Sequence, residues 1–226
     1  MGKPGTNIPD LSREIRLSAH GCPAFGPVFG PGFGPVGGID EAVRGPWAGP
    51  VVAAAVILDP ARIPDGIDDS KRISAARRAV LAAELEAVAV VGIGLASVGE
   101  IDALNIREAT FLAMRRAVMS LPAPPAHALI DGRDAPDVGC PAEAVVGGDG
   151  SCLSIAAASI IAKTARDAMM ADLACRHPGY GFERHKGYGT KMHAEALFRL
   201  GPCPIHRKSF APVRAAMRNM LSPDAA

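Results

Sequence analysis

Cysteine is scarce here and badly spaced for structural use. Cys22, Cys140, Cys152, Cys175 and Cys203 are odd in number and include no C-x-x-C pair, which argues against a zinc ribbon or a disulfide framework and fits reduced thiols in a cytoplasm. Unbroken apolar runs are also missing. Residues 17–39 carry no Asp, Glu, Lys or Arg, yet Gly and Pro interrupt them too often for a membrane helix or a signal-peptide core. No targeting segment and no membrane partner are expected. Aromatic residues are only 4% of the chain while apolar residues are 49%, many of them Ala, the composition of a soluble globular protein. Net charge is nearly absent at +1, but its distribution is uneven. Between Arg176 and Arg218 there are nine Lys or Arg against two acids, Glu183 and Glu195, a footprint for a polyanion.

The 226 residues suit one domain with an appendage. Residues 1–35 end in a degenerate Phe-Gly-Pro repeat over 23–35. Proline removes backbone donors and glycine raises the entropy cost of ordering, so this stretch reads as a flexible arm. The domain proper is expected over 36–226. Apolar, β-branched or alternating runs predict strands at 51–58, 88–97, 126–132 and 142–146, with an apolar lead-in from Val36. Helical composition and caps predict helices at 74–86, 106–121, 151–173, 190–200 and 211–221. In the third of these, Ile155, Ser159, Ala162 and Arg166 ride one stripe. The order implies an α/β domain with a mixed sheet.

The chain is organised around Val36-Gly37-Gly38-Ile39-Asp40-Glu41, which sets two adjacent carboxylates at the end of an apolar run. Alone, such a pair is equally consistent with a solvated turn. Asp131 and Asp149, however, stand in the same context, each after an apolar strand and beside glycine. In an α/β sheet, functional groups collect at strand ends where loops converge, so four carboxylates are expected to meet. Four acids without a Cys or His cluster select hard ions, Mg²⁺ or Mn²⁺, over zinc. Two such ions about 4 Å apart can activate a water on one side of a phosphodiester and stabilise the leaving oxygen on the other. The basic C-terminal third supplies attraction for the polyanion.

The order and spacing of several short motifs are specific. Gly38-Ile39-Asp40-Glu41 is followed by Arg44-Gly45-Pro46 and Ala48-Gly49-Pro50, then Asp69-Ser70-Lys71, Ile130-Asp131-Gly132 and Gly148-Asp149. The series continues with Ser154 to Lys163, Arg166-Asp167, Pro178 to Phe182, His185-Lys186-Gly187-Tyr188-Gly189-Thr190 and His206-Arg207-Lys208-Ser209-Phe210. Over residues 36 to about 213 the chain resembles ribonuclease HII. The resemblance implies a ribonuclease H-like mixed five-stranded sheet flanked by helices, with a helical C-terminal extension over about 176–222 that helps to hold an RNA/DNA duplex. It implies incision 5′ of ribonucleotides in hybrids, and of single ribonucleotides embedded in DNA, leaving 3′-hydroxyl and 5′-phosphate ends. Asp40, Glu41, Asp131 and Asp149 take the family's metal-binding and catalytic positions. Val43, Arg44, Gly45, Ser70, Lys71, Lys186, Tyr188 and Arg207 are the candidate substrate contacts, with Tyr188 packing on the sugar at the junction. A monomer is expected.

One departure stands out. The family's loop after the paired acids reads Gly-Arg-Gly, and here it reads Val43-Arg44-Gly45. A β-branched residue is costly if that position needs a positive φ, so weakened single-ribonucleotide incision, as in the related ribonuclease HIII type, is one alternative. A catalytically silent nucleic-acid-binding module is the other, and intact acids facing phosphates argue against it. Lys163, Arg166 and Asp167 are read as structural. His185 and His206 are read as solvated, with an electrostatic role.

Overall fold

In the computed structural model, which describes residues 8–18 and 34–221, five strands form one sheet in the order β3-β2-β1-β4-β5. These are β1 (Val36–Ala42), β2 (Val51–Ile57), β3 (Val90–Ala96), β4 (His127–Asp131) and β5 (Ala142–Val145). β1, β2 and β3 run antiparallel in sequence order. β4 then crosses back to lie parallel to β1, and β5 lies parallel to β4. The expected mixed sheet is therefore present, and its parallel half decides the site. Ile39 is in register with Ile130, so the residues that follow, Asp40 and Asp131, emerge side by side at the same sheet end.

The strand residues alternate between two cores, because successive side chains leave a strand on opposite faces. Val51, Ala53, Ala55 and Ile57 face α4 (Ile106–Met119), whose Ala109, Ala113 and Ala117 pack with them. Ala54, Val56 and Leu58 face α2 (Ala75–Val88) and α5 (Leu153–Arg176), meeting Leu81, Leu85, Ile160 and Ile161. Leu81 and Leu85 are fully buried, so truncating either to Ala costs about 2–5 kcal/mol. The small residues in the strands have a packing reason. A Cβ on Gly94 would lie 2.2 Å from the Ala113 carbonyl oxygen, and one on Gly38 would lie 2.1 Å from the Ser154 carbonyl carbon. Both helices thus rest backbone-to-backbone on the sheet.

Ser74 caps α2 by accepting the Arg77 N–H, as its sequence indicates. A short helix, α3 (Val98–Leu104), follows β3 directly, where only a strand end is expected. Its start is a complete capping box between Ser97 and Glu100. Beyond α5 the chain forms α6 (Phe182–His185), α7 (Lys191–Leu200) and α8 (Ala211–Leu221), the expected helical extension with one added turn.

The reading of 1–35 as a flexible arm fails for residues 8–18. Ser12–Ser18 is a helix, α1, with a buried Glu14. Cys152, at the start of α5, makes no side-chain cap. The Leu153 N–H instead donates to the Asp10 carbonyl, and Ser154 donates both its N–H (2.9 Å) and its hydroxyl (2.6 Å) to Glu14 Oε1. A segment far away in sequence therefore supplies the cap of the central helix. Arg13 and Arg16 tie the same segment to Glu143 of β5. Most of the Phe-Gly-Pro repeat lies outside the described residues.

Candidate metal and nucleic-acid site

Three acids converge at the sheet end. Asp40 ends the apolar part of β1, Asp131 ends β4, and Asp149 lies on the short 3-10 turn Gly148–Gly150 that links β5 to α5. One oxygen from each lies within 4.8 Å of the other two, and Asp40 and Asp149 are buried. The turn is tied to β4, because Asp131 Oδ1 accepts the Gly148 N–H at 2.7 Å. Glu41 lies outside this triangle. Its N–H donates to Asp40 Oδ1 at 2.7 Å, and its carboxylate faces Arg44 Nη1 at 3.9 Å.

Desolvation and crowding raise the cost of charge here. Burial pushes the Asp40 carboxyl well above the usual range, with Glu41 and Asp131 adding repulsion. Burial lifts Glu41 to about 7 despite Arg44, and lifts Asp131 with help from Asp149. An all-oxygen donor set that resists charging fits a hard divalent cation, which removes the repulsion. The cluster already draws one cation, because Lys71 Nζ lies 2.7 Å from Asp149 Oδ2 and 3.7 Å from Asp69. Burial opposes the Lys71 charge, yet the bond to Asp149 raises its pKa overall.

The expected substrate contacts fall into two groups. Arg44 and Gly45 are exposed beside Glu41, Lys71 is exposed beside Asp149, and Tyr188 is exposed near enough to feel the Lys71 charge. Lys186 is half-buried at the end of α6, with φ +51°. Ser70 and Arg207 are corrections. The Ser70 hydroxyl is buried and bonded to Ser159 Oγ at 2.7 Å, so it ties its loop to α5 instead of reaching phosphate. Arg207 is fully buried, and its guanidinium donates to the carbonyls of Val43, Arg44, Gly49 and Pro50.

Arg166 acts likewise, donating to Ala48 and Pro50, and Lys163 pairs with Asp167 at 2.6 Å, in line with their structural reading. The loop of 43–50 is further laced to the C-terminal segment. Trp47 N–H donates to the Gly187 carbonyl, Arg207 N–H to the Trp47 carbonyl and Gly49 N–H to the Ile205 carbonyl. A Cβ on Gly189 would lie 2.2 Å from Trp47, so the indole seats against the backbone next to Tyr188.

His185 and His206 are not solvated. With His193 they form a buried cluster against the backbone of Tyr188. Carbonyls and N–H groups fix the tautomers. His193 Nδ1 donates to the Tyr188 carbonyl at 2.9 Å, so its Nε2 accepts from His206 Nε2 at 3.1 Å. His206 Nδ1 is then the acceptor for the Cys203 N–H at 2.9 Å. Burial lowers both His193 and His206 to about 4, which keeps them neutral.

The five-stranded mixed sheet thus carries a carboxylate triangle at the ends of its central parallel strands, bordered by Lys71 and Arg44, a donor set that suits a hard divalent cation. A family model described as ribonuclease HII matches residues 37–213. The chain is 57% identical over 222 residues to a ribonuclease HII of Parvibaculum lavamentivorans, covering 98% of this chain and 77% of that protein. It is 60% identical over 214 residues to a ribonuclease HII of Paramagnetospirillum magneticum, covering 93% and 99%. The crystal structure of ribonuclease H2 from Pyrococcus horikoshii superposes with a TM-score of 0.70 at 24% identity, covering 83% and 99%, a likeness of fold. The chain belongs to the ribonuclease HII family, and it is a nuclease of that family.

Proposed function

We propose that the chain cuts the ribonucleotide-containing strand of RNA/DNA hybrids, and DNA with embedded ribonucleotides, on the 5′ side of a ribonucleotide, leaving 3′-hydroxyl and 5′-phosphate ends. The observation that carries this is the convergence of Asp40, Asp131 and Asp149 within 4.8 Å at one sheet end, on a chain of this family. These carboxylates, with Glu41 beside them, would hold two Mg²⁺ or Mn²⁺ ions. When bound, such ions activate the attacking water and stabilise the leaving oxygen. The chain's own groups supply the rest. A bound cation favours the charged forms of Asp40 and Glu41, which burial disfavours, and this couples their ionisation to metal binding. Lys71 places an ammonium at the rim, where it screens Asp149 against the approaching phosphates. Tyr188, exposed next to the Gly189 backbone against which Trp47 packs, offers a ring for a sugar.

Four free cysteines among the described residues support action in a reducing cytoplasm, and no helix among those residues is long and apolar enough to cross a membrane. The enzyme acts as a monomer in this reading, which light scattering on the purified chain tests. A second reading is favoured by one observation. Val43 has φ +68°, a conformation that a β-branched residue resists, and this supports weaker incision at single ribonucleotides than within ribonucleotide runs.

The experiment uses two end-labelled duplexes, one with a ribonucleotide run and one with a single ribonucleotide, each with Mg²⁺ and with Mn²⁺. Comparable incision of both, with 3′-hydroxyl products, supports the first reading. Incision of the run alone supports the second, and binding without incision leaves only the silent module.

A further inference from the structure

Two consecutive peptide units of the loop point the same way. The Val43 and Arg44 carbonyls both accept from the buried Arg207 guanidinium, at 3.1 and 2.8 Å. In a planar trans peptide the N–H points opposite to the carbonyl, so the Arg44 and Gly45 N–H groups face outward. Among the described residues neither N–H meets an acceptor. Gly45 is exposed, with nothing within 4 Å of where a Cβ would stand. The result is a pair of free donors beside Glu41, a surface that takes an oxygen of a bound ligand.

That surface depends on Val43 keeping a positive φ, and valine does not hold such a conformation unaided. Its side chain packs against the α5-facing core, and its carbonyl is fixed by Arg207. Arg207 itself is locked by further bonds to Gly49 and Pro50. Desolvation, with repulsion from Arg166, lowers its pKa to about 9, still charged at neutral pH.

We infer that Arg207 is a positioning residue for substrate choice: by holding the carbonyls of Val43 and Arg44 it keeps valine in the left-handed conformation and aims the Arg44 and Gly45 N–H groups at the ribonucleotide. This rests on the reading that the chain incises ribonucleotide-containing strands. With a glycine at position 43 the conformation is cheap, and the clamp matters less. The clamp is thus what holds Val43 in a conformation that valine resists, whatever the rate at single ribonucleotides.

The test is a cycle of four proteins: parent, Arg207→Lys, Val43→Gly and the double variant. Lysine keeps charge but loses the fork that spans two carbonyls. The first readout is the ratio of kcat/KM on the single-ribonucleotide duplex to that on the run. In the parent background Arg207→Lys lowers this ratio by about tenfold or more, as loss of positioning does. In the Val43→Gly background the same change lowers it by less than about threefold. The second readout is Tm, where Arg207→Lys also costs less in the Val43→Gly background. Equal losses in both backgrounds, or failure of Arg207→Lys to fold in either, overturn the inference. If the parent cuts neither duplex, the functional reading falls, while the Tm cycle still decides whether Arg207 holds Val43.

Discussion

Replacing Glu14 tests whether the N-terminal segment belongs to the folded unit. Glu14 Oε1 accepts two hydrogen bonds from Ser154, and its carboxylate sits at the N-terminal end of the 24-residue α5. Loss of a cap costs about 0.5–2 kcal/mol, and a charge at a helix N-terminus contributes about 0.3–1 kcal/mol. Against these stands Oε2, which is buried without a partner among the described residues and whose removal recovers part of the desolvation cost. Glu14→Ala is therefore expected to destabilise by about 1–3 kcal/mol, and Glu14→Gln, which keeps one acceptor oxygen, by about half of that or less. For a chain of this size 1 kcal/mol shifts Tm by about 2–4 °C. Urea or thermal unfolding of parent and both variants measures it. An unchanged Glu14→Ala, or Gln and Ala losing equally, would refute the cap.

Gly38→Ala places a methyl 2.1 Å from the Ser154 carbonyl carbon; a loss of about 3 kcal/mol or more is expected in urea unfolding, and a neutral substitution would mean that α5 is not seated on β1. His193 and His206 protonate near 6.5 when unfolded but only near 4 when folded, so the folded state binds fewer protons and stability is lost as pH falls from 6.5 towards 4, by up to about 3 kcal/mol for one such histidine. Asp40 and Glu41 act with the opposite sign in metal-free protein, so the difference in pH slope between parent and His206→Gln isolates the histidines; identical slopes would contradict their burial as neutral groups. Because Glu41 has its pKa raised to about 7, protons compete with metal below that pH, and Mn²⁺ should raise Tm more at pH 8 than at pH 6; an equal shift would contradict carboxylate binding.

The acids were legible because one local context recurs: Asp40-Glu41 after its apolar lead-in, Asp131 after Ala128-Leu129-Ile130, and Asp149 after the run of 142–146, each beside glycine or a small residue. Strand number and the mixed sheet followed from the same apolar runs, and the long helix from its small-residue stripe. The register that brings Asp40 beside Asp131 comes from a crossover between distant strands, which no local spacing encodes. The capping box that opens α3, Ser97-Val98-Gly99-Glu100, was a usable signal. Glu14 had none, since its partner is 140 residues away.

Charge counting misplaced Arg207, as charge patterning alone did not mark it as buried. A guanidinium reads as surface unless the carbonyls that desolvate it are known, and those of Gly49 and Pro50 lie 158 and 157 residues earlier. The buried histidines were hidden for the same reason. Long-range hydrogen bonds, more than hydrophobic pattern, separate the expected site from the observed one.

The most direct test of the central claim follows cleavage of a labelled RNA/DNA hybrid by the parent, Asp40→Asn and Asp131→Asn while Mn²⁺ or Mg²⁺ is titrated, with calorimetric Mn²⁺ binding measured on the same samples. The carboxylate triangle predicts metal-dependent cutting of the RNA strand by the parent, and loss of cutting together with weakened Mn²⁺ binding in both variants. Cleavage that persists in chelator, or in Asp40→Asn with unchanged Mn²⁺ affinity, would contradict it.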